Sequence, residues 1–241
     1  MNKKKKIVLP IVLLSAILLV LCAFLIFTGT YYHADSVALA ALNPDKEVTV
    51  SKADYGYFFD GPSEDTALIL YPGAKVEAAA YAPLCRDLAN SGVDVCLVDM
   101  PFKIAFLGIN KADKIIDSAN YEHWYIAGHS LGGVAASRYA SEHADKLDGV
   151  VLLASFTVHE LDESLNTILI YGSEDKVLDM NKYHDNSGNL PPNAKEYVLD
   201  GGNHAGFGSY GPQKGDGEAT ISQDEQVSET AEFIINKIRE Q

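Results

Sequence analysis

Cysteine is scarce in this chain: Cys22, Cys85 and Cys96 are the only three in 241 residues. Three thiols build no disulfide framework, and no Cys/His spacing resembles a zinc site. Cys22 lies inside an apolar run. Cys85 and Cys96 flank an expected helix–strand junction; they could pair in an oxidising compartment, but two buried free thiols are favoured. Basic residues are also short, 19 against 33 acidic ones, for a formal net charge of −14. Four of the 19 are Lys3, Lys4, Lys5 and Lys6, and no acidic residue precedes Asp35, so the remainder is more acidic than the total implies. Such a body repels phosphate backbones and anionic lipid, because binding either depends on Lys/Arg neutralisation. Nucleic acid is therefore not an expected partner. No internal repeat is visible, and residues 155–166 are too few to hold a large lid domain.

What is present fits one globular domain with an appendage. Apolar content of 47% and charged content of 22% are ordinary for a folded chain of this length. The appendage is at the N-terminus. Ile7 to Phe27 is an uncharged apolar stretch directly after the four lysines. As a helix rising about 1.5 Å per residue it spans roughly the 30 Å hydrocarbon core of a bilayer. Pro10 sits near its start, where it does little harm. Lysines that stay cytoplasmic place the C-terminal body on the extracytoplasmic face. The alternative is a secreted protein cleaved near Ala38-Leu39-Ala40, but the apolar run exceeds a usual signal-peptide core and that site lies well beyond its end. A lipoprotein anchor at Cys22 is disfavoured by the bulky Leu21 before it. The expected organisation is residues 1–28 as cytoplasmic lysines and membrane anchor, 29–46 as a linker, and 47–241 as the main domain. The linker reads as a stalk or a packed-down leader, with a turn at Asn43-Pro44-Asp45.

From Val48 onward the pattern alternates. β-rich apolar runs occupy Val48–Val50, Tyr57–Phe59, Ala67–Tyr71, Val93–Val98, His123–Ala127, Gly149–Ala154, Thr167–Tyr171 and Glu196–Leu199. Helical periodicity fits Ala78–Asn90, Lys111–Ala119, Leu131–His143 and Asp224–Arg239. Several strands are continuous apolar runs, the signature of parallel strands covered on both faces by helices. The expected fold is α/β: a mostly parallel eight-stranded sheet flanked by helices, without a large lid.

Gly128-His129-Ser130-Leu131-Gly132-Gly133 follows one such strand and opens the helix after it. A serine on a sharp strand-to-helix turn has strained backbone angles and projects its hydroxyl from the sheet edge. Side chains two before and two after it would collide across the turn, which is why glycines stand there. The helix N-terminus offers a positive end to developing negative charge. Ser130 is therefore the candidate nucleophile.

Here the sequence resembles the α/β-hydrolase superfamily, over roughly Val48 to Arg239. Within it, Tyr71-Pro72-Gly73-Ala74-Lys75-Val76 and Gly201-Gly202-Asn203-His204 to Gly215-Asp216-Gly217 are similar to motifs of the compact, lidless bacterial branch related to dienelactone hydrolases. Those enzymes use a cysteine nucleophile; this chain has Ser130. The resemblance implies a nucleophile–acid–base order along the chain. Of the histidines after Ser130, His143 ends the helix, and His159 and His184 lie in charged connections. His204 leaves the last expected strand in a glycine-rich loop, where the superfamily places its base. Asp175 matches the acid in Gly172-Ser173-Glu174-Asp175, with Glu174 and Asp179 as rivals. One oxyanion N–H is expected from Leu131 and a second from Ala74, with Lys75 beside it as a salt-bridge residue or a contact for an anionic substrate. His129 is assigned to packing. The loop Gly201–Gly217 contains Phe207 and Tyr210 and reads either as a substrate-binding wall or as an ordered loop that positions the histidine.

The implied activity is hydrolysis of a carboxylic ester, thioester or lactone through an acyl-serine, on a small-molecule or surface-presented ester, with no metal or organic cofactor. Acyl transfer to a cell-envelope acceptor and a non-catalytic binding module on the same fold are the alternatives.

Overall fold

The computed structural model describes residues 3–62 and 65–240; the side chains of residues 3–9 and 11, Lys3–Lys6 among them, lie outside the description. The chain divides into two units, one ending at Tyr31 and one running from Tyr32. The first is helix α1 (Lys3–Gly29), with Pro10 inside it. Its apolar side chains are exposed from Val12 to Phe27, Leu19 by 71%. Val12–Gly29 is long and apolar enough to cross a membrane, a test that a signal sequence also meets.

The second unit is built on one eight-stranded sheet. Its strands are β1 (Thr49–Ala53), β2 (Gly56–Asp60), β3 (Thr66–Tyr71), β4 (Asp94–Val98), β5 (His123–His129), β6 (Gly149–Leu153), β7 (Asn166–Gly172) and β8 (Lys195–Leu199). The order is β1-β2-β4-β3-β5-β6-β7-β8. β2 runs antiparallel to β1 and β4, and all later pairings are parallel. Parallel strands share one C-terminal edge, so the loops after β3, β5, β6, β7 and β8 open on the same side.

Both faces are covered, which accounts for the continuous apolar runs. Leu68 and Leu70 of β3 join one core with helices α3 (Ala82–Asn90) and α7 (Gln223–Arg239). Ala67, Ile69 and Tyr71 point the other way, to α4 (Lys111–Ile116) and α5 (Leu131–Glu142). The helix expected over Ala78–Asn90 is split: a 3-10 turn at Ala78–Tyr81 precedes α3, whose first turn holds Pro83, a residue with no N–H to give a continuous ladder. Helix α7 starts as capping rules require, with Ser222 accepting from the Glu225 N–H at 3.1 Å. Asp224 and Glu225 lie in its first turn, and Lys237 and Arg239 in its last.

The two cysteines near the α3–β4 junction are free. Cys85 belongs to one core and Cys96 to the other, so the sheet separates them. Burial pushes the Cys96 thiol up to about 12 and that of Cys85 well above its ordinary value, which suppresses thiolate chemistry.

Residues 32–46 form a packed leader. Tyr32 pairs with the loop after β3: its N–H donates to the Lys75 carbonyl (2.7 Å), and its own carbonyl accepts from Glu77 (2.9 Å). Helix α2 (Ser36–Ala41) is capped by Asp35 and buries Ala38 completely. Arg86 of α3 holds the end of α2, donating to the Ala41 carbonyl through Nε (2.9 Å) and Nη2 (2.7 Å) and also to the Asn43 carbonyl. Its ion pair with Asp45 adds little, because that carboxylate is 53% exposed. Arg86→Ala strips charged donors from two carbonyls and should cost about 1.5–3 kcal/mol in urea denaturation. It should also speed proteolytic cleavage within residues 36–46.

Candidate active site

Ser130 sits between β5 and α5 with φ +52° and ψ −123°, a conformation that L residues rarely adopt. The turn is tight enough to exclude side chains. A Cβ on Gly128 would lie 2.3 Å from the Gly132 carbonyl oxygen, and one on Gly132 2.3 Å from that of Pro72. The strained turn is tied down on its far side. The Ser130 N–H donates to the Leu153 carbonyl at 2.8 Å. Its own carbonyl accepts from the Ser155 hydroxyl (2.7 Å) and from the Gly133 and Val134 amides. β6 and its exit thus hold the turn from outside.

His204 and Asp175 are brought together from the exits of β8 and β7. His204 Nδ1 lies 2.8 Å from Asp175 Oδ2, and both side chains are 2% exposed. The other carboxylate oxygen accepts from the Val177 and Leu178 amides, each at 2.8 Å. An ionised carboxylate only accepts, so Nδ1 carries the proton and Nε2 is left with a lone pair. Nε2 is buried and has no hydrogen-bond partner among the described residues. A buried polar atom without a protein partner costs about 1–3 kcal/mol. Ser130 lies next in sequence to His129, whose ring centroid is 4.6 Å from that of His204. The Ser130 hydroxyl is not hydrogen-bonded to Nε2.

Neither rival acid is bonded to His204. Asp179 caps α6 (Met180–Asp185) by accepting from the Lys182 N–H at 3.2 Å, and among the described residues no hydrogen bond links Glu174's carboxylate to a histidine. The other histidines lie apart. His143 stacks on Tyr139 with ring centroids 4.3 Å apart, and His159 and His184 are exposed.

The loop after β3 offers one unspent amide. The Gly73 N–H donates to the Tyr81 hydroxyl (3.0 Å), and the Lys75 N–H to the Lys103 carbonyl (2.9 Å). The Ala74 amide between them finds no acceptor among the described residues, and neither does that of Leu131 at the start of α5. Lys75 has a φ of +60°.

Phe207 and Tyr210 stand where a core needs them. Phe207 is fully buried against the His129 ring, 5.5 Å between centroids. Tyr210 is 7% exposed, tilted against Tyr32, with its hydroxyl bonded to Gln213 at 3.1 Å. Of the two readings of the Gly201–Gly217 loop, these burials favour the ordered loop that positions the histidine. Apolar bulk inside a glycine-rich segment was the signal, and it marked packing.

Four contributors escaped sequence reasoning: Tyr81, Ser155, Gln226 and Asp216. Tyr81 is fully buried; its hydroxyl accepts from Gly73 and so donates its own proton to His129 Nδ1, 2.7 Å away. Burial, reinforced by the neighbouring His204 ring, holds His129 well below the usual histidine range and keeps it neutral. Only Asp216 carried a local signal, its place in Gly215-Asp216-Gly217.

A strained serine turn between strand and helix, a histidine–carboxylate pair and a covered parallel sheet define an α/β-hydrolase-type protein. Residues 67–228 match the alpha/beta hydrolase family, and the chain belongs to it. A comparison with curated protein sequences finds no match. Among solved structures, the chain is similar to the naproxen esterase (carboxylesterase NP) of Bacillus subtilis, with TM-score 0.55 and 11% identity over 83% of this chain and 95% of that one. It is similar to a monoacylglycerol lipase of Paleococcus ferrophilus, with TM-score 0.58 and 15% identity over 80% and 100%. An epoxide hydrolase mutant of Vigna radiata gives TM-score 0.59 and 10% identity over 81% and 99%. At these identities the likeness establishes the fold.

The neutral His129 has a consequence for stability. Below about pH 6.5 the unfolded chain takes up a proton there that the folded chain refuses, so stability falls as pH falls, by at most about 1.4 kcal/mol per unit from this group. Urea midpoints measured from pH 7 down to 5 should show a shallower decline in His129→Gln than in the parent.

Proposed function

We propose that this chain is a serine hydrolase that cleaves carboxylic ester, thioester or lactone bonds through an acyl-Ser130 intermediate. The observation that carries the reading is the buried His204–Asp175 pair with an unpaired Nε2 beside a strained serine. As substrate enters, the Ser130–His204 contact closes, in keeping with catalytic hydrogen bonds that tighten only in the loaded enzyme. Ser130 Oγ attacks the carbonyl carbon while His204 Nε2 takes its proton. Asp175 stays ionised, fixing the tautomer and stabilising the imidazolium. The carbonyl oxygen gains the negative charge and is met by the Leu131 and Ala74 amides, a pair whose members each contribute about 10²–10³ in rate. Collapse expels the alcohol or thiol, protonated by His204. Water, deprotonated by the same nitrogen, then releases the acid and restores Ser130.

The substrate class is supported by the similar proteins named as an esterase and a lipase. A small-molecule or surface-presented ester fits a chain with so short a connection between β6 and β7. For α1 the reading is an uncleaved anchor with the domain on the extracytoplasmic face. Cleavage after Ala40 would cut through α2, whose Ala38 is fully buried in the folded unit.

A fluorophosphonate probe should label the protein at Ser130, and Ser130→Ala should lose up to about 10⁶ in kcat on a p-nitrophenyl ester series while keeping its fold. A folded parent chain that never reacts at Ser130 would sink the proposal. For the anchor, mass spectrometry of the membrane-extracted chain should find residues 1–28 still attached; a mature start after Ala40 would overturn that part alone.

A further inference from the structure

The proton path uses Ser130, His204 and Asp175, yet another carboxylate is wired into the same edge. Asp216 lies in the long loop between β8 and α7 and is half-buried. Its Oδ1 accepts from the N–H groups of His204 (3.3 Å), Lys176 (3.3 Å) and Gly217 (2.8 Å). Its Oδ2 accepts from the Ala205 N–H at 2.8 Å. Lys176 directly follows Asp175, so one side chain grips the backbone of the turn that carries the acid and of the turn that carries the base. Nearer the sheet these loops are joined by backbone bonds, such as the Glu174 N–H to the Gly202 carbonyl at 2.8 Å. At the level of the catalytic side chains the added span is Asp216.

The other flank of the base is held separately. The buried Gln226 side chain on α7 pairs its amide with the Asn203 peptide, accepting from its N–H (3.0 Å) and donating to its carbonyl (2.8 Å). Asn203 Nδ2 in turn donates to the Gly217 carbonyl, beside Asp216, at 2.8 Å. Gln226 therefore fixes the base turn to a helix, and Asp216 fixes it to the acid turn. The four N–H groups converging on Asp216 call for a group that only accepts, which an ionised carboxylate is and an amide is not.

We propose that Asp216 is a positioning residue, whose carboxylate sets the approach of the His204 turn to the Asp175 turn and thereby the geometry of the proton relay. The inference rests on the serine-hydrolase reading and deepens it. Asp216 takes no proton and touches no substrate; it acts through the backbone. Misplacing a catalytic group by about 1 Å costs on the order of 10² in rate, so its loss belongs in kcat. In Asp216→Asn the amide oxygen can still serve the Oδ1 donors, but the amide nitrogen meets the Ala205 N–H with a second donor. Its defect should be smaller than that of Asp216→Ala, which removes every acceptor.

The test uses the full chain in detergent. Active sites are counted by fluorophosphonate labelling taken to completion, and kcat and KM for p-nitrophenyl butyrate are expressed per labelled site. The expected result is a fall in kcat of about 10² in Asp216→Ala and about tenfold in Asp216→Asn, with KM within about twofold of the parent. A purely structural role would reduce the labelled fraction and leave kcat per labelled site intact. Retention of more than about a third of parental kcat per site in Asp216→Asn, or a loss confined to KM, overturns the proposal. Should Asp216→Ala fail to fold, Asp216→Asn decides alone. A parent chain that does not label overturns the serine-hydrolase reading itself, and that outcome is distinct from a labelled parent with an unaffected variant.

Discussion

The left-handed backbone at Ser130 is the constraint on which the rest of the domain turns. An L residue does not stay there on its own; the surroundings must over-determine it. Here the helix start is pressed so close to the strand end that Gly128 faces Gly132 carbonyl to Cα, and Gly132 faces Pro72 in the same way. The carbonyl and amide of Ser130 are taken up by Ser155 and Leu153. The central strands are thus positioning devices as well as core. β3 supplies the loop that presses on α5, β5 delivers the serine, and β6 ties the turn from outside. The parallel arrangement matters because it brings all these exits to one edge.

Two imidazoles lie beside that serine with their rings tilted 51° to one another, and only one of them meets a carboxylate. Both Nε2 atoms are buried and unpaired among the described residues. His204 has an acceptor on Nδ1 that can stabilise a positive ring. His129 has instead a phenol donating to its Nδ1, in a pocket that disfavours charge. A ring whose surroundings disfavour the protonated form is a poor base. It serves as a wall, with the Tyr81 hydroxyl linking it to the Gly73 amide. The same phenol consumes one of the three amides in the 73–75 segment, and Lys103 consumes another. The availability of Ala74 follows from its neighbours being occupied.

Features governed by local physics were legible in the sequence. Gly128, Ser130 and Gly132 announce the turn because only glycine tolerates that approach, and strands covered on both faces announce themselves as unbroken apolar runs. The positions of His204 and Asp175 relative to strand ends could be expected from the family resemblance, and the structure brings the two into contact. What stayed hidden depends on contacts distant in sequence or made to backbone. Asp216 reaches peptide groups 11 to 40 residues away, and peptide groups leave no trace in residue identity. Helix α2 is six residues long, too short for periodicity to show. Phe207 and Tyr210 were ambiguous because an aromatic in a flexible-looking loop has no partner until the fold supplies Tyr32 and His129. The separation of Cys85 from Cys96 required knowing which way each points from the sheet.

The pairing of Tyr32 with Lys75 has a further consequence. The leader that precedes the domain is laid along the very loop that presents the Ala74 amide, and it is fastened there by two backbone hydrogen bonds. A protease that clipped the chain just after Tyr32 would remove the N-terminal helix and, by the same cut, unfasten the loop at residues 73–75. Losing the helix and loosening the 73–75 loop would then be a single event, so the trimmed domain would carry a slack strand end where the intact chain has a fastened one.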